Sequence, residues 1–177
     1  MTRGIKRRAL LGSTLLGGAG LLSGCGFQPL YATSNNGPTA AELAAVRVGL
    51  LPDRSGQLLR RALEQRFGSN TGVAGQYELK ASFQTGIEQE GFRRDGVATR
   101  SRITATAPWQ LYTMAVPPVL VASGTEKTFD AWNIPDNQFF AADASADAAQ
   151  QRLVVLIAND ITEKVAIALR ARNRGTA

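Results

Sequence analysis

The chain has 177 residues, with 20 Lys and Arg against 14 Asp and Glu, no histidine and one cysteine. This length is sufficient for one domain with a substantial hydrophobic core. The lack of histidine excludes imidazole metal ligands and Ser-His-Asp or Cys-His catalysis, and a single cysteine excludes an intrachain disulfide or a thiolate cluster. The net charge of +6 favours nucleic acid or an anionic membrane as partner only if the basic residues remain in the mature protein.

The first 24 residues have the pattern of an export signal. Four basic residues precede an apolar, uncharged run of 14 residues, which is shorter than the roughly 20 residues of a membrane-spanning helix. The following Ser23-Gly24-Cys25 resembles the lipobox of bacterial lipoproteins. We therefore predict a signal peptide over 1–24, cleavage between Gly24 and Cys25, and a covalent lipid on Cys25. The alternative is an ordinary cleaved signal with an incidental cysteine.

Removal of this signal changes the charge balance. It takes away four basic residues and no acidic one, which leaves 16 basic against 14 acidic residues and a side-chain charge of +2. Nucleic acid is then not expected as a partner, because phosphate contacts need a concentrated basic face. Acylation by more than one chain gives lasting membrane attachment. Gly26 stands where lipoproteins retained at the inner membrane tend to have Asp, so the periplasmic side of the outer membrane is the expected location. The pair Arg7-Arg8 leaves twin-arginine export open beside general secretion.

The mature chain begins with a predicted tether over residues 25–41. This segment contains two prolines and two asparagines between its apolar start and its end, which is typical of a connecting segment. We expect it to become ordered only where its large apolar residues find a surface to cover. The tether residues of interest are Phe27, Pro29, Leu30 and Tyr31.

A strand and a helix are predicted next. Apolar and other residues alternate over 45–51, which predicts a first strand. Beyond it, apolar residues recur at fourfold spacing up to Phe67, which predicts an amphipathic helix with Ser55 as its N-cap and Gly68 as a left-handed C-cap. The alternating apolar residues are Val46, Val48 and Leu50, and the helical stripe consists of Leu59, Leu63 and Phe67.

Two long strands are predicted in the middle of the chain. Odd positions over 77–87 and 97–111 are mostly apolar and the even positions mostly polar, so one face of each strand is predicted to be buried. Asp95-Gly96 lies between the runs and indicates a hairpin. A two-residue loop would set odd core residues against even polar ones. A three-residue loop over 94–96, with Gly96 left-handed, sets odd against odd and makes the numbers of facing residues sum to 190.

This register gives an ordinary explanation for part of a basic cluster near the hairpin. The predicted facing pairs are Ile87 with Ile103, Phe83 with Ala107, Ala81 with Trp109, Glu88 with Arg102, and Glu90 with Arg100. The last two pairs account for both arginines as cross-strand partners of glutamates. Arg93 and Arg94 then remain unpaired at the hairpin tip, where their partner is either an anionic ligand or solvent.

One more strand and a long helix complete the prediction. The last strand is predicted over 119–133 with undetermined faces, and a helix over 144–172 follows from an apolar stripe at helical spacing. The stripe consists of Leu153, Val154, Ile157, Ile161, Val165 and Ala168. The predicted fold is α+β, with two helices packed on a four-stranded, largely antiparallel sheet in the order β-α-β-β-β-α, forming one domain over 42–174.

The segment Cys25 to Tyr31, Cys-Gly-Phe-Gln-Pro-Leu-Tyr, resembles the start of the lipopolysaccharide-assembly lipoprotein family (LptE). Residues 56–63 are similar to the family's first helix, and the order of elements agrees across the mature chain. The resemblance implies a non-enzymatic protein without a metal or a cofactor other than the lipid on Cys25. It implies a position inside a large outer-membrane β-barrel (LptD), paired one to one, whose assembly the protein assists and whose lumen it plugs during lipopolysaccharide transport. Residues 27–31 would guide the chain from the membrane into the barrel.

No basic residue of the family is carried over to this chain by position. The candidate contacts with lipopolysaccharide phosphates are therefore named by location alone, as Arg93, Arg94 and Lys127. Two other classes of protein are open. One is an independent ligand-binding lipoprotein for a lipid or a cell-wall glycan, with no barrel partner. The other is an enzyme, for which the acids near a loop and a helix start are Asp130, Asp136, Asp143 and Asp147; N-capping and solvation also explain them.

Overall fold

A computed structural model describes residues 38–69 and 72–175 of the chain. These residues form one mixed five-stranded sheet and three helices, two of them long, so the predicted α+β class is confirmed. In chain order the elements are α1 (Pro38–Ala44), β1 (Val46–Val48), α2 (Asp53–Phe67), β2 (Tyr77–Ala81), β3 (Gln84–Phe92), β4 (Ala98–Thr113), β5 (Leu120–Asn133) and α3 (Phe139–Gly175).

Strand β4 is the centre of the sheet. It pairs antiparallel with β2 and then β3 along one edge, and with β5 along the other. Strand β1 extends the sheet beyond β2 and runs parallel to it. The long helices pack against each other, with α2 also against β1 and α3 against β4 and β5. One face of the sheet is thereby covered by helices, and the other is left open.

The register predicted for the central hairpin is confirmed. Facing residues of β4 with β2 and β3 have numbers that sum to 190, as in Ile87 with Ile103 and Ala81 with Trp109. The loop closes where the Arg93 N–H donates to the carbonyl of residue 97 at 2.9 Å, and Gly96 is left-handed with a φ of 81°. The register therefore follows from the requirement that apolar side chains share one face.

A break opposite Pro108 divides the second predicted strand into β2 and β3. Ser82 donates its backbone N–H to the Pro108 carbonyl at 3.1 Å, but proline has no N–H to donate in return. The ladder opens at Ser82 and Phe83, so the predicted pair of Phe83 with Ala107 is not part of it. Because the register is the same on both sides of the break, the four predicted strands become five without any change in topology.

Burial on the predicted core face extends over only part of the hairpin. Leu79, Ile103 and Leu111 are buried beneath the helices. Ile87 is 63% exposed although it lies on the same face, because α2 and α3 pack over the other strands and β3 packs chiefly against β4. The prediction that Ile87 belongs to the core is therefore wrong. Alternation identifies the apolar face, but it does not show how far the helices reach across it.

The two predicted outer strands differ in accuracy. Strand β1 ends at Val48, so Leu50 is 87% exposed and the neighbouring Leu51 is buried instead. The first strand predicted over 45–51 is therefore too long, because the chain leaves the sheet after Val48. Strand β5 begins one residue later than predicted and ends at the predicted residue.

Helix α2 is confirmed, apart from its N-cap. Its stripe is buried as predicted, and Gly68 ends it with a φ of 66° and an N–H bonded to the Glu64 carbonyl. Ser55 is not the N-cap: the helix begins at Asp53, and the Ser55 hydroxyl accepts a hydrogen bond from the Gln150 side chain of α3. A serine at this position is typical of an N-cap, but here its hydroxyl forms a hydrogen bond between the two long helices.

Helix α3 is confirmed and is longer than predicted. It begins at Phe139, five residues before the predicted start. Its predicted stripe is buried from Leu153 to Val165, while Ala168 is only half-buried and Leu169 is the last buried residue. The extra turns at the start carry no apolar stripe, so periodicity gave no reason to extend the helix there.

Some predicted features lie outside the described residues. They are the signal peptide over 1–24, the cleavage and lipidation site at Gly24 and Cys25, and the guiding segment 27–31. The end of the predicted tether forms α1, in which Leu43 and Ala44 are buried, so the predicted domain boundary at residue 42 falls within a helix. Within 38–69 and 72–175, no helix is both long and apolar enough to cross a membrane.

We expect Gly96→Val to destabilise the protein by about 1–2 kcal/mol, because a β-branched residue is strained at this backbone conformation. No atom lies within 4 Å of a Cβ built on Gly96, so the effect would report strain alone. The matched control is Gly86→Val in β3, where the space is equally open and the backbone is not left-handed. Urea unfolding followed by tryptophan fluorescence measures both variants. Equal losses would contradict the three-residue loop.

Candidate ligand- and partner-binding surface

The two faces of the sheet have different chemistry. The covered face carries the odd-numbered side chains of β4, which are mainly apolar, and the even-numbered side chains of β5. This pairing settles the faces of β5. The other side chains of these two strands form what we call the open face, and most of them are polar. The open face includes Arg100, Arg102, Thr104, Thr106, Gln110 and Tyr112 of β4 and Ser123, Thr125, Lys127 and Phe129 of β5.

A charged and aromatic cluster lies on the open face near the hairpin. Arg102 pairs with Glu90 at 2.8 Å, and Arg100 lies 3.8 Å from the same carboxylate. The Arg102 guanidinium also lies over the Phe129 ring, 5.0 Å from its centre. The predicted facing pairs of Glu88 and Glu90 with these arginines are confirmed, although the closer ion pair is the diagonal one from Glu90 to Arg102. Both arginines are thus held by neighbours within the sheet.

The hairpin tip differs from the prediction that both its arginines are unpaired. Arg93 forms ion pairs with Asp95, at 2.8 Å, and with Asp136 in the segment that leads into α3. The hydrogen bond to Asp95 is the main cause of the raised pKa of Arg93, and it outweighs desolvation. The same bond is the main cause of the lowered pKa of Asp95. Arg94 is exposed and has no ion pair with the described residues, so it is the tip arginine accessible to an anion.

Lys127 lies on the open face, far from the tip. It faces Thr106, which is nine residues along β4 from Val97 and therefore about 30 Å away. Its side chain is exposed. The structure thus does not bring the three candidate lipopolysaccharide contacts together: Arg93 and Arg94 lie at the tip, and Lys127 lies near the middle of the sheet.

The acids considered for an enzyme occur in separate places. Asp130 accepts a hydrogen bond from Arg152 of α3 at 2.7 Å, Asp136 pairs with Arg93, and Asp143 and Asp147 are exposed on α3. Partial burial works against ionisation of Asp130, but the bonds from Arg152 and from a backbone N–H lower its pKa overall. Among the residues that the structure describes, no three His, Cys, Asp or Glu side chains are grouped to hold a metal ion.

A second polar group lies between β5 and α3. The Trp109 indole N–H donates to Glu126 at 3.1 Å, which places a carboxylate on the covered face. Asp160 of α3 has a raised pKa, because it is partly buried and because Glu126 and Glu163 add negative charge, against which Lys164 acts. This group was not identified from the sequence, because the sequence left undetermined which side chains of β5 face the helices.

Comparison with known proteins gives matches by family and by structure. A family model described as lipopolysaccharide-assembly (LptE) matches residues 33–166. No curated protein matches the chain. A lipoprotein of known structure from Caulobacter crescentus is 22% identical with a TM-score of 0.59, and the match covers 76% of this chain and 96% of that one.

Two further solved structures share the fold at lower identity. Rare lipoprotein B from Shewanella oneidensis is 10% identical, with a TM-score of 0.55 and coverage of 72% of this chain and 98% of that one. A minor lipoprotein from Acinetobacter baumannii is 14% identical, with a TM-score of 0.55 and coverage of 69% and 90%. At these identities the likeness establishes the fold alone.

We expect Asp130→Asn and Asp160→Asn to change stability in opposite directions at pH 7. Because the pKa of Asp130 is lowered, its ionised form stabilises the fold, and the asparagine variant should lose up to about 1 kcal/mol. Because the pKa of Asp160 is raised, its ionised form destabilises the fold, and the asparagine variant should be more stable.

Urea unfolding at a series of pH values measures both effects. The Asp160 difference should disappear as the pH falls from the raised pKa to the ordinary value of 3.8, because the native carboxyl is then protonated. The Asp130 difference should disappear only below 3.8. Effects of the same sign at pH 7 would contradict this account of the α3–β5 contact.

Proposed function

This chain belongs to the lipopolysaccharide-assembly family (LptE), and from that premise we propose that it is an outer-membrane lipoprotein that assists the assembly of a large β-barrel, plugs it, and helps deliver lipopolysaccharide to the outer leaflet. The proposal includes an LptD-like barrel as one-to-one partner and a covalent lipid on Cys25 as the membrane anchor. It includes no catalysis and no cofactor other than that lipid.

The open face is the observation that best supports the barrel partner. Both long helices pack on one side of the sheet, so the other side is free to meet a partner. The interior of a large outer-membrane barrel is polar, and a protein that fits inside it needs a polar surface. The hydroxyl, amide and paired charged groups of the open face meet that need without exposing the core.

The distribution of charge supports a more specific proposal for the cargo. Lipopolysaccharide carries phosphate groups, which bind best to cations that have no carboxylate partner. Arg93 is engaged by two aspartates, and Arg102 by Glu90. We therefore place the anionic contact at Arg94 at the tip, with Lys127 on the open face as a separate contact.

We expect a photoreactive residue at Thr104 or Thr106 to crosslink to a large β-barrel protein in outer membranes, because both positions lie on the open face. The same residue at Gln151, an exposed position on α3, is the control and should crosslink several-fold less. The tagged, acylated protein purified in mild detergent should bring the same barrel with it in stoichiometric amount. Isolation of the protein alone would favour an independent ligand-binding lipoprotein. Crosslinks of equal strength at the two faces would contradict the open face as the main barrel contact.

We expect Arg94→Glu to weaken lipopolysaccharide binding by several-fold and to leave stability unchanged, because the side chain is exposed and has no ion pair within the described residues. Arg61→Glu, an exposed position on α2, makes the same change of charge on the helical layer. Binding of the acylated protein to immobilised lipopolysaccharide compares the two. Equal binding by the two variants would mean that net charge alone determines the affinity for lipopolysaccharide. Arg94 would then be a solvated loop residue with no specific contact.

A further inference from the structure

The loop between β4 and β5 exposes a concentration of apolar side chains. It has the sequence Met-Ala-Val-Pro-Pro-Val over 114–119, and no charged residue occurs between Arg102 and Glu126. Val116 is 98% exposed, and Met114 and Val119 are each about half exposed. The exposed large side chains are Met114, Val116, Val119 and Leu120. Exposed apolar side chains concentrated in one loop make that loop a candidate for binding an apolar surface.

The base of this loop is held firmly to the sheet. The Met114 N–H donates to the Gln76 carbonyl at 2.9 Å. The Thr113 N–H donates to the Val119 carbonyl at 2.9 Å, and the Val119 N–H donates to the Thr113 hydroxyl at 3.0 Å. The loop therefore presents Val116 at its tip in a defined position, outward from the body of the protein.

The loop lies at the end of the domain where the N-terminal part of the chain enters it. Gln76, which accepts the bond from Met114, donates its own N–H to the carbonyl of Ala45, the residue that follows α1. Helix α1 begins at Pro38, and twelve residues separate it from Cys25. A segment of that length spans at most about 45 Å, so a lipid on Cys25 would tie this end of the domain to a membrane.

Basic side chains surround the base of the loop. Arg47 and Met114 flank Gly75, with atoms of both within 3.1 Å of the position that a Cβ would take there. Arg172 lies over the Tyr77 ring, 5.6 Å from its centre, and lines a recess of ≈ 340 Å³ with Met114. Two described carboxylates lie at this end of the domain. Glu42 accepts a hydrogen bond from the side chain of residue 173, and Glu78, which faces Arg47, pairs with Lys80 at 3.6 Å. The Arg47 guanidinium is half-buried and donates to the carbonyls of Ala44, at 2.8 Å, and Val73. Arg172 is the more exposed of the two arginines. Basic groups behind an apolar tip are the arrangement that a phospholipid interface favours.

We propose that the β4–β5 loop inserts into the phospholipid monolayer that holds the acyl chains of Cys25, with Arg47 and Arg172 at the level of the phosphate headgroups. The proposal rests on the lipid anchor of the proposed function, since the anchor brings the loop to that monolayer. The tip offers aliphatic side chains and no charged one, and transfer of such side chains into hydrocarbon is favourable. The loop supplies a second attachment, which fixes this end of the sheet toward the membrane.

The test uses mature acylated protein with Val116→Cys labelled by an environment-sensitive fluorophore. The protein is bound to vesicles of phosphatidylethanolamine with a minor fraction of phosphatidylglycerol, and some of the lipids carry a quencher on the acyl chain. We expect a blue shift and quenching several-fold stronger than for Gln89→Cys, an exposed position on β3 about 40 Å away along the sheet. No quenching at position 116 in vesicle-bound protein would overturn the proposal. Loss of the quenching when the barrel partner is present would overturn it too, because the loop would then bind protein.

The number of labels per chain separates failure of the anchor from failure of the insertion. Cys25 is the sole natural cysteine, so an acylated protein takes one label and an unacylated one takes two. Two labels would therefore count against the proposed anchor, whatever the quenching.

A second variant tests the apolar contact itself. Val119→Asp added to the labelled protein should abolish most of the quenching, because a carboxylate does not enter the hydrocarbon region. Gln151→Asp, which adds the same charge at an exposed position of α3, should leave the quenching unchanged. Equal quenching in the two variants would overturn the insertion.

Discussion

The alternation of side chains along β4 is the constraint on which the rest of the structure depends. This strand pairs with β2, β3 and β5 at once, so its alternation determines which side chains of three neighbours share a face. Its odd-numbered Ala105, Ala107 and Leu111 are fully buried beneath the helices, while its even-numbered residues form the open face. A slip of one residue would exchange these faces along every neighbouring strand. The separation of a helical core from a polar sheet surface is thus encoded largely in a single segment.

Sequence reasoning succeeded where a local rule decides the structure. Parity and a glycine at the loop fixed the hairpin register, and Gly68 fixed the end of α2. It failed where tertiary packing decides: Ile87 has core parity but no helix above it, Leu50 follows the point where the chain leaves the sheet, and Ser55 bonds to a distant helix instead of capping its own. Pro108 can be seen in the sequence. Its effect on the sheet depends on which residue of the neighbouring strand lies opposite it and is left without a hydrogen-bond donor.

The candidate site divides in the same way. The pairing of Arg93 with Asp95 is local, whereas its pairing with Asp136 joins residues 43 positions apart. The contact of Phe129 with Arg102 could not be predicted from the sequence. Polar side chains of β5 such as Glu126 face the helices, so apolar and polar residues do not alternate clearly along this strand. The family was predicted from residues 25–31, residues 56–63 and the order of elements, and the matching family model covers 33–166. The match includes residues 56–63 but not the opening motif, so the recognition does not depend on that motif alone.

The outer edge of β3 has a consequence for the free protein. In the described sheet β3 pairs only with β4, so a nine-residue row of backbone donors and acceptors faces away from the sheet. Such an edge invites pairing with a second copy and aggregation. Glu88 and Glu90 place charge along it, and the left-handed backbone at Gly91 interrupts its regular extension. Under the proposed function the protein crosses the periplasm before it meets its barrel partner, and these features disfavour its self-association during that time.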